Sequence, residues 1–554
     1  MPVIAKTVPS RPRSVGPEDL AFWGLLVCAI GLIITSGPII TSDGPSHAGM
    51  AHFMTVAGDP AFPMLNRIYE INPVLSPNAL GHFLLAGFMT FLSPTAAEAV
   101  MQVVCITAPL LAGRMALRRL APGATAYALF LYPVALQRLF YLGLYNFCLS
   151  LAGALLCLWA YFGLKERVTL VRCVVLCASL LLTLGCQASG WMEAVLAIGL
   201  IACVDAGFRL RRGQTVPQVC AIFALLALCV IPSLILFLFF ALQGGAERET
   251  VYAIPLMSRI FEFLRGDAFA PIGKTTTIFS CLVTATLCGL CILGWFTAPA
   301  ADCADPAARQ RRWSLAVVTS GFFLFMLAIP DQAGGGWSHF WRAEVFPYIG
   351  LTFLAAQFPV RPALRLGASA LVVTGTIAMM GLTLRVQRVD LPPVEARFAA
   401  VDALIGPHCT VAPILSNFKL DLANTARVAN HPLFHLTNRL ELRGDRPVLF
   451  NYNARLPVYP VRFRPAADPQ RLLYGWKTAQ RDTHVYRIDP TGFEAATGIP
   501  VDYVLLWDIP AASMAGPFQN LRSDSLTGFR LIHHSEDNRL ELYRRNAPGG
   551  CSSP

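Results

Sequence analysis

The feature that most constrains this chain is a series of apolar stretches that recur along its first 384 residues. Each stretch is roughly 17 to 25 residues long, enough for a helix to cross a hydrocarbon layer about 30 Å thick. Only 14% of the 554 residues are charged, whereas soluble proteins carry about a quarter. These observations predict a polytopic α-helical membrane protein and exclude a disordered chain, a fibre and a cytosolic enzyme.

The charged residues divide the chain into two parts. Residues 1–384 contain 24 Lys and Arg and 17 Asp and Glu, whereas residues 385–554 contain 20 and 16 in less than half the length. The density of charge is therefore about twice as high in the second part. We predict a cytoplasmic tail at 1–19, a transmembrane domain at 20–384 and a water-soluble domain at 385–554.

The positions of the basic residues predict the orientation of the spans. We expect about eleven transmembrane helices, at 20–40, 96–113, 124–140, 146–163, 170–187, 190–207, 217–242, 277–297, 314–330, 343–359 and 366–384. This assignment leaves 17 of the 24 Lys and Arg on the side of the N-terminus, which the positive-inside rule identifies as cytoplasmic. The C-terminal domain then lies on the outer face. Since membrane orientation explains the net charge of +11, no nucleic-acid partner is expected.

Polar chemistry is concentrated on the predicted outer face. All ten histidines lie in outer loops or in the C-terminal domain. Arg138, Lys274 and Arg342 lie at outer ends of spans, with His339 and Glu344 beside Arg342. The interiors of the spans contain few ionisable residues, and Glu193 is the main exception. A transporter usually carries such groups at mid-span, so this pattern weakens that alternative.

The first outer loop carries the most specific motif. Asp43 follows the first span directly, in Thr41-Ser42-Asp43-Gly44-Pro45-Ser46-His47. His47 and His52 lie on a short amphipathic helix predicted at Pro45–Ala57, and a second predicted helix, Asn78–Leu92, is too short to cross a membrane. We expect both helices to lie at the membrane interface.

This arrangement resembles the GT-C class of membrane glycosyltransferases, which includes protein O-mannosyltransferases and aminoarabinose transferases. The resemblance covers the layout of most of residues 20–384, but it reaches the level of residues only in the first outer loop. Members of that class commonly have an acidic pair at this position. Here Gly44 follows Asp43, which leaves open whether a divalent metal or a second carboxylate takes part.

The resemblance implies an enzyme that transfers a sugar from a polyprenyl-phosphate donor to a glycan, lipid or protein acceptor. Asp43 would be the general base, and Arg342, Arg138 and Lys274 would bind the donor phosphate. Candidate residues of the substrate pocket are His47, His52, Tyr145, Asn146, Glu193, His339 and Glu344. The implied location is a bacterial inner membrane, with lipid around the spans and the C-terminal domain in the periplasm. No cofactor is implied apart from the metal left open above.

Some of these candidate site residues also have purely structural explanations that involve no catalysis or substrate binding. Asp43 could be a solvated loop residue or a helix cap, and Arg342 could extend towards water or pair with Glu344. Glu193 could be hydrogen-bonded by Gln187 or Ser189. The alternative functions are a multi-pass transporter and a non-catalytic scaffold of cell-envelope polysaccharide assembly.

The C-terminal part alternates short β-like runs with polar loops, which predicts a small mixed α/β domain after a linker at Arg385–Pro393. The predicted strands are Val411–Leu415, Val448–Asn451, Tyr503–Trp507 and Leu540–Tyr543, and the predicted helices are Val394–Ile405 and Pro469–Ala479. Cys409 and Cys551 are the two cysteines of this domain. They would form a disulfide if the domain faces an oxidising compartment.

Overall fold

The computed structural model describes residues 16–74, 76–243, 250–297, 306–333, 338–415, 431–475, 487–508, 525–546 and 551. Within these residues the buried apolar side chains form two separate cores. The larger core extends over helices from Phe22 to Met380. The smaller core combines the C-terminal part with the segment that follows the first helix.

The first part of the chain consists of helices. In chain order they are α1 (Pro17–Ser36), α2 (Gly44–Val56), α3 (Pro63–Ile68), α4 (Leu80–Met89), α5 (Pro94–Leu120), α6 (Leu131–Ala135), α7 (Arg138–Tyr141), α8 (Tyr145–Glu166), α9 (Leu170–Cys186), α10 (Ala188–Arg211), α11 (Val216–Gln243), α12 (Leu256–Arg265), α13 (Gly273–Thr297), α14 (Pro306–Ala328), α15 (His339–Ala355) and α16 (Pro362–Arg385). Among the described helices, α1, α5, α8, α10, α11, α13 and α16 are long and apolar enough to cross a membrane. The architecture is that of a helical membrane protein, as the sequence predicted.

Three further predicted spans are helices, but they are not both long enough and apolar enough to be counted with these seven. Helices α9 and α15 have 17 residues each, and α14 begins with a run of arginines. All three pack into the bundle, since their buried side chains belong to the larger core. They are therefore part of the same helical unit as the seven long helices.

Ion pairs hold one end of the bundle together. Their basic members all come from the residues that the sequence predicted to be cytoplasmic. The pairs are Arg114 with Asp19, Arg365 with Glu18, Arg119 with Glu166 and Lys165 with Asp205. They bring the first turns of α1 and α16 and the last turns of α5, α8 and α10 to the same end.

The prediction of one continuous helix over 124–140 is wrong. A 3-10 helix at Thr125–Phe130 and the short helices α6 and α7 take its place. Residues 126–137 are all buried, so protein rather than lipid surrounds the interrupted backbone, and its polar groups can be satisfied there. The segment still runs through the bundle: Tyr132 donates to the carbonyl oxygen of Phe22, and Leu142 reaches Asp43 at the other end.

The two short helices predicted in the first loop are present. Helix α2 matches the prediction at Pro45–Ala57, and α4 forms the central ten residues of the predicted Asn78–Leu92. Thirteen residues for α2 and ten for α4 are too few for a helix to span the layer. Both helices pack against α5 and against each other.

The described strands are β1 (Tyr69–Ile71), β2 (Val411–Leu415), β3 (Val461–Phe463), β4 (Tyr503–Trp507), β5 (Phe529–His534) and β6 (Leu540–Arg545). Four of them form a mixed sheet in the order β2-β4-β6-β5, in which β2 and β4 are parallel and the other neighbours antiparallel. Both β2 and β4 are buried along their whole length. The C-terminal part also contains three helices, α17 (Pro392–Asp402), α18 (Pro469–Leu472) and α19 (Pro490–Thr497).

Three details of the C-terminal prediction are wrong. The predicted strand Val448–Asn451 contributes only a single bridge, from Val448 to Val411. The helix predicted at Pro469–Ala479 ends at Leu472, and residues 476–479 of it lie outside the described part. The predicted linker Arg385–Pro393 is helical, because α16 continues as a π-helix through Val386–Asp390. Gln387 fixes this turn by donating to the carbonyl oxygen of Pro38 over 2.8 Å.

The first loop belongs to the C-terminal domain as much as to the bundle. Strand β1, from the loop, pairs antiparallel with β3. Phe53 and Ile68 of the loop lie in the smaller core together with Val411 and Tyr503. Cys409 and Cys551 form a disulfide that ties the last residues of the chain to the start of β2.

Candidate functional site

Asp43 lies at the entrance to α2, and the backbone on both sides of it is fixed. Its N–H donates to the carbonyl oxygen of Leu142 over 2.8 Å, and its carbonyl oxygen accepts from His47 N–H over 2.9 Å. Its side chain forms no capping hydrogen bond with α2, and only 20% of that side chain is exposed. Asp43 therefore occupies the N-cap position of α2 without capping the helix through its side chain, and the carboxylate is available for other contacts.

Two glycines allow the chain to come this close to α8. A Cβ on Gly44 would lie 2.6 Å from both Glu98 Oε1 and the hydroxyl of Tyr145. Gly143 has φ of +85°, and a Cβ there would lie 2.6 Å from the backbone nitrogen of Gly44. A side chain at position 44 would therefore require the side chains around it to shift. The carboxylate of Glu98 lies beside this position.

Glu98 and Tyr145 form a buried network under the loop. The Tyr145 hydroxyl donates to Glu98 Oε1 over 2.9 Å and accepts from Gln102 Nε2 over 2.9 Å. Gln102 also bonds to both the N–H and the carbonyl oxygen of Ile39. Tyr145 therefore helps to hold the loop that carries Asp43, through Gln102 and the backbone of Ile39. Glu98 and Gln102 were not identified from the sequence.

Arg342 is brought to the same end of the bundle as Asp43. With the Gln187 amide turned so that its oxygen faces the guanidinium, Arg342 donates to it from Nε over 3.0 Å and from Nη1 over 3.3 Å. Nη1 also lies 3.4 Å from Nδ1 of His339. Within the described residues Arg342 Nη2 makes no hydrogen bond, and no ion pair joins Arg342 to Glu344. Arg342 therefore remains able to bind an anion.

The charges of Asp43 and Arg342 act on each other. Enclosure by the protein raises the pKa of Asp43 to about 7, and the positive charge of Arg342 partly offsets that rise. Burial raises the pKa of Tyr459, and the same two charges act on it in opposite directions, Asp43 raising it and Arg342 lowering it. Asp43, Arg342 and Tyr459 thus form one electrostatic cluster, although they come from distant parts of the sequence.

Arg138 and Glu344 belong to a neighbouring cluster. The guanidinium of Arg138 lies over the ring of Trp341, 3.8 Å from its centroid. Oε1 of Glu344 accepts from the N–H of Ala268 over 3.3 Å. The negative charges of Glu344, Glu262 and Asp267 act on Arg138. Helix α15 therefore presents Arg342 towards Asp43 and Glu344 towards Arg138.

A chain of hydrogen bonds links α2, α4 and α8. His47 Nδ1 lies 2.9 Å from His82 Nε2, and His82 Nδ1 lies 3.1 Å from Asn146 Nδ2. The side-chain oxygen Oδ1 of Asn146 accepts from the N–H of Gly81 over 2.7 Å, so the side-chain amino group of Asn146 is the donor to His82. This arrangement makes Nε2 of neutral His82 the donor to His47. The sequence identified His47 and Asn146 as candidates but missed His82.

The C-terminal domain supplies part of the site, which the sequence did not predict. Nε2 of His435 lies 3.8 Å from Oδ1 of Asp43, and His435 is fully buried. Tyr459 packs its ring against His47 and His82, with centroids 5.6 and 5.5 Å away. The hydroxyl of Ser46 donates to Asn451 Oδ1 over 2.7 Å. These contacts place residues of both parts of the chain around Asp43.

The other predicted site residues lie apart from this cluster or cannot be placed. His52 packs edge-on against Phe62, further along α2. Glu193 is 1% exposed inside the bundle, and neither of its carboxylate oxygens has a partner among the described residues. The expected hydrogen bonds from Gln187 and Ser189 to Glu193 are therefore absent from this part of the structure. The side chain of Lys274 lies outside the described residues.

Two other features of the described residues combine polar groups with the geometry of a site. The three residues Cys409, Asp502 and Cys551 have metal-ligand spacing, but the two sulfurs are joined in the disulfide. A cavity of about 140 Å³ lies between α8, α10 and α11 at the end opposite Asp43. Its carboxylate, Asp205, is already paired with Lys165 over 2.5 Å and accepts from Gln310 over 2.6 Å.

No protein family model matches the chain, and no curated protein sequence is significantly similar to it. A carboxylate enclosed beside a guanidinium can accept a proton, while the guanidinium stabilises an anion.

Proposed function

We propose that this protein is a membrane glycosyltransferase that moves a sugar from a polyprenyl phosphate to an acceptor hydroxyl. The observation that carries the proposal is the electrostatic cluster of Asp43 with Arg342. Asp43 follows α1 and Arg342 begins α15, so both lie at the bundle end away from the ion pairs of Asp19 and Glu18. A lipid-linked phosphate sugar presents its reactive carbon at such a surface.

In the proposed reaction, the acceptor oxygen forms a bond to C1 of the sugar as the bond from C1 to the phosphate oxygen breaks. The electron pair of the broken bond goes to the phosphate, and Arg342 stabilises its charge. The acceptor proton passes to the carboxylate of Asp43. Attack from the face opposite the phosphate inverts the configuration at C1.

We further propose the GT-C-like topology of eleven crossings, with the N-terminus in the cytoplasm. The ion pairs collect basic residues at one end, as the positive-inside rule requires of a cytoplasmic face. The interrupted segment after α5 counts as one crossing, since it passes from that end to Leu142. The disulfide of Cys409 with Cys551 favours an oxidising compartment for the C-terminal domain, such as the bacterial periplasm.

Glu193 is the observation that favours a transporter as the second candidate. Its carboxylate is buried within α10 without a described partner, and ionisable groups inside membranes often mark pathways for protons or ions. A transporter would show substrate-dependent ion or proton flux in liposomes, and Glu193→Gln would abolish that flux. Glycosyl transfer predicts neither result.

The experiment that tests the proposed function is incubation of the purified protein with a panel of polyprenyl-phosphate sugars. The acceptors are a glycan, a lipid with a free hydroxyl and a hydroxyl-bearing peptide. We expect one donor to be consumed, with release of polyprenyl phosphate. If every donor in the panel remains intact with every acceptor, the proposal is wrong for the tested chemistry and the transporter becomes the leading candidate.

A further inference from the structure

His435 is placed in the site by the C-terminal domain. It directly precedes a 3-10 helix at Leu436–Arg443 that packs against α2. Its imidazole is enclosed by the rings of Phe434 and Phe450. Its Nε2 atom lies 3.8 Å from Asp43 Oδ1 and has no hydrogen-bonding partner among the described residues. A fully buried ring nitrogen is thus directed at the proposed base.

The opposite ring nitrogen fixes which tautomer is present. Nδ1 of His435 lies 3.1 Å from Oδ1 of Asn438. The structure thus places the amide oxygen of Asn438, and not its amide nitrogen, against His435. An amide oxygen only accepts, which requires the proton of neutral His435 to be on Nδ1. The lone pair on Nε2 therefore points towards Asp43.

Resting on the proposed glycosyl transfer, we propose that His435 is a positioning residue that shares the acceptor proton with Asp43. When the acceptor O–H bond breaks, the proton first goes to Oδ1 of Asp43. From there it donates a hydrogen bond to Nε2 of His435, while Nδ1–H continues to donate to Asn438. The acceptor oxygen supplies the electron pair of its new bond to C1, and the pair of the broken bond leaves with the phosphate, so no further reactant is needed. Docking of the C-terminal domain on α2 thereby completes the proposed site.

The charges around the pair are consistent with this role. Burial lowers the pKa of His435 to about 4, so near neutral pH the ring is neutral and its Nε2 lone pair can accept a hydrogen bond. The groups that act electrostatically on the pair come from three elements: Arg342 of α15, His47 of α2 and Tyr459 before β3. Arg342 is the cation among them, and it keeps Asp43 available in its ionised form.

The test uses His435→Gln and His435→Asn in the purified full-length protein. Glutamine places an amide near the position of Nε2, whereas asparagine retains only a group near Nδ1. The lone pair of Nε2 disfavours ionised Asp43, so its removal should lower the pH midpoint of kcat/KM by roughly one unit. We expect kcat to fall roughly 10- to 100-fold with little change in KM. His534→Gln is the control, because His534 is exposed on β5 of the same domain.

The outcomes separate the two proposals. If the wild type consumes no polyprenyl-phosphate sugar, the proposed function and this inference both fail. If the wild type is active and both variants keep its pH midpoint, His435 is structural and only the inference fails. Because a buried variant can unfold, ¹⁵N NMR of histidine-labelled wild type gives a second readout. A signal of His435 with the proton on Nε2 at neutral pH would overturn the assignment.

Discussion

Ser46 of α2 and Asn451 of the C-terminal domain are hydrogen-bonded through their side chains over 2.7 Å, across 405 positions of sequence. Asn453 also donates to the Ser46 hydroxyl over 3.0 Å. Ser46 is three residues after Asp43, so these bonds hold the C-terminal domain against the first turn of the helix that Asp43 begins. The domain therefore forms one wall of the candidate site.

The close approach at Gly44 gives the first prediction. In Gly44→Ala the new Cβ would crowd Thr41, Glu98 and Tyr145, so these side chains or the loop that carries Asp43 must shift. We expect turnover to fall at least 10-fold, since small displacements of catalytic groups are costly. The matched control is Gly87→Ala on α4, where a Cβ meets open space. Equal activity of the two variants would show that the position of Asp43 is unimportant.

Arg342 should act mainly in binding the donor. Arg342→Lys keeps a positive charge but loses the planar set of donors that engages Gln187 and a phosphate together. We expect KM for the donor to rise roughly 10-fold while measurable turnover remains. Arg67→Lys is the control, because Arg67 donates to the carbonyl oxygen of Gly498 on the far side of the loop. A normal KM in Arg342→Lys would remove Arg342 from the donor site.

The pH dependence of activity follows from Asp43. Enclosure raises its pKa to about 7, and a base must be ionised, so kcat/KM should be low at pH 5 and rise through pH 7. His82 and His435, whose pKa values are lowered to about 4, stay neutral throughout this range. The same raised pKa affects stability. The folded state binds the proton of the Asp43 carboxyl more tightly than the unfolded state does, so the contribution of Asp43 to the free energy of unfolding decreases as pH rises towards 7. A rise of kcat/KM centred near pH 4 would contradict the assignment.

The topology can be measured independently of activity. Single cysteines at Arg118, Arg211 and Arg311, in a background without reactive native cysteines, should be protected from a membrane-impermeant reagent added outside. A cysteine at His431 should react with that reagent in intact cells. Protection at position 431 with labelling at 118 would reverse the proposed orientation and place Asp43 in the cytoplasm.

Local pattern was sufficient for much of the fold. Apolar length predicted α1 and α11, and short β-like runs between polar loops predicted β2 and β4 with their observed bounds. The segment 124–140 was misread because burial inside protein and exposure to lipid both require apolar side chains. Strand β1 was missed because its pairing with β3 depends on residues almost 400 positions away.

The residues of the candidate site also divide into those that the sequence could predict and those that it could not. Topology alone predicted that Asp43 and Arg342 share one face, because that inference needs only the ends of spans. His435 and Tyr459 could not be identified, since their approach depends on how the C-terminal domain docks on α2. Gly44 carried a usable signal, because glycine directly after a candidate base indicates that another group occupies the space of a side chain.

The central claim is that Asp43 is the base of a glycosyl transfer, and one comparison tests it most directly. Turnover of a polyprenyl-phosphate sugar by purified Asp43→Asn is compared with the wild type and with Asp59→Asn, which changes an exposed aspartate of the same loop. We predict that Asp43→Asn binds the donor but loses turnover by roughly 10²- to 10⁴-fold, while Asp59→Asn is normal. Near-normal turnover by Asp43→Asn would contradict the account.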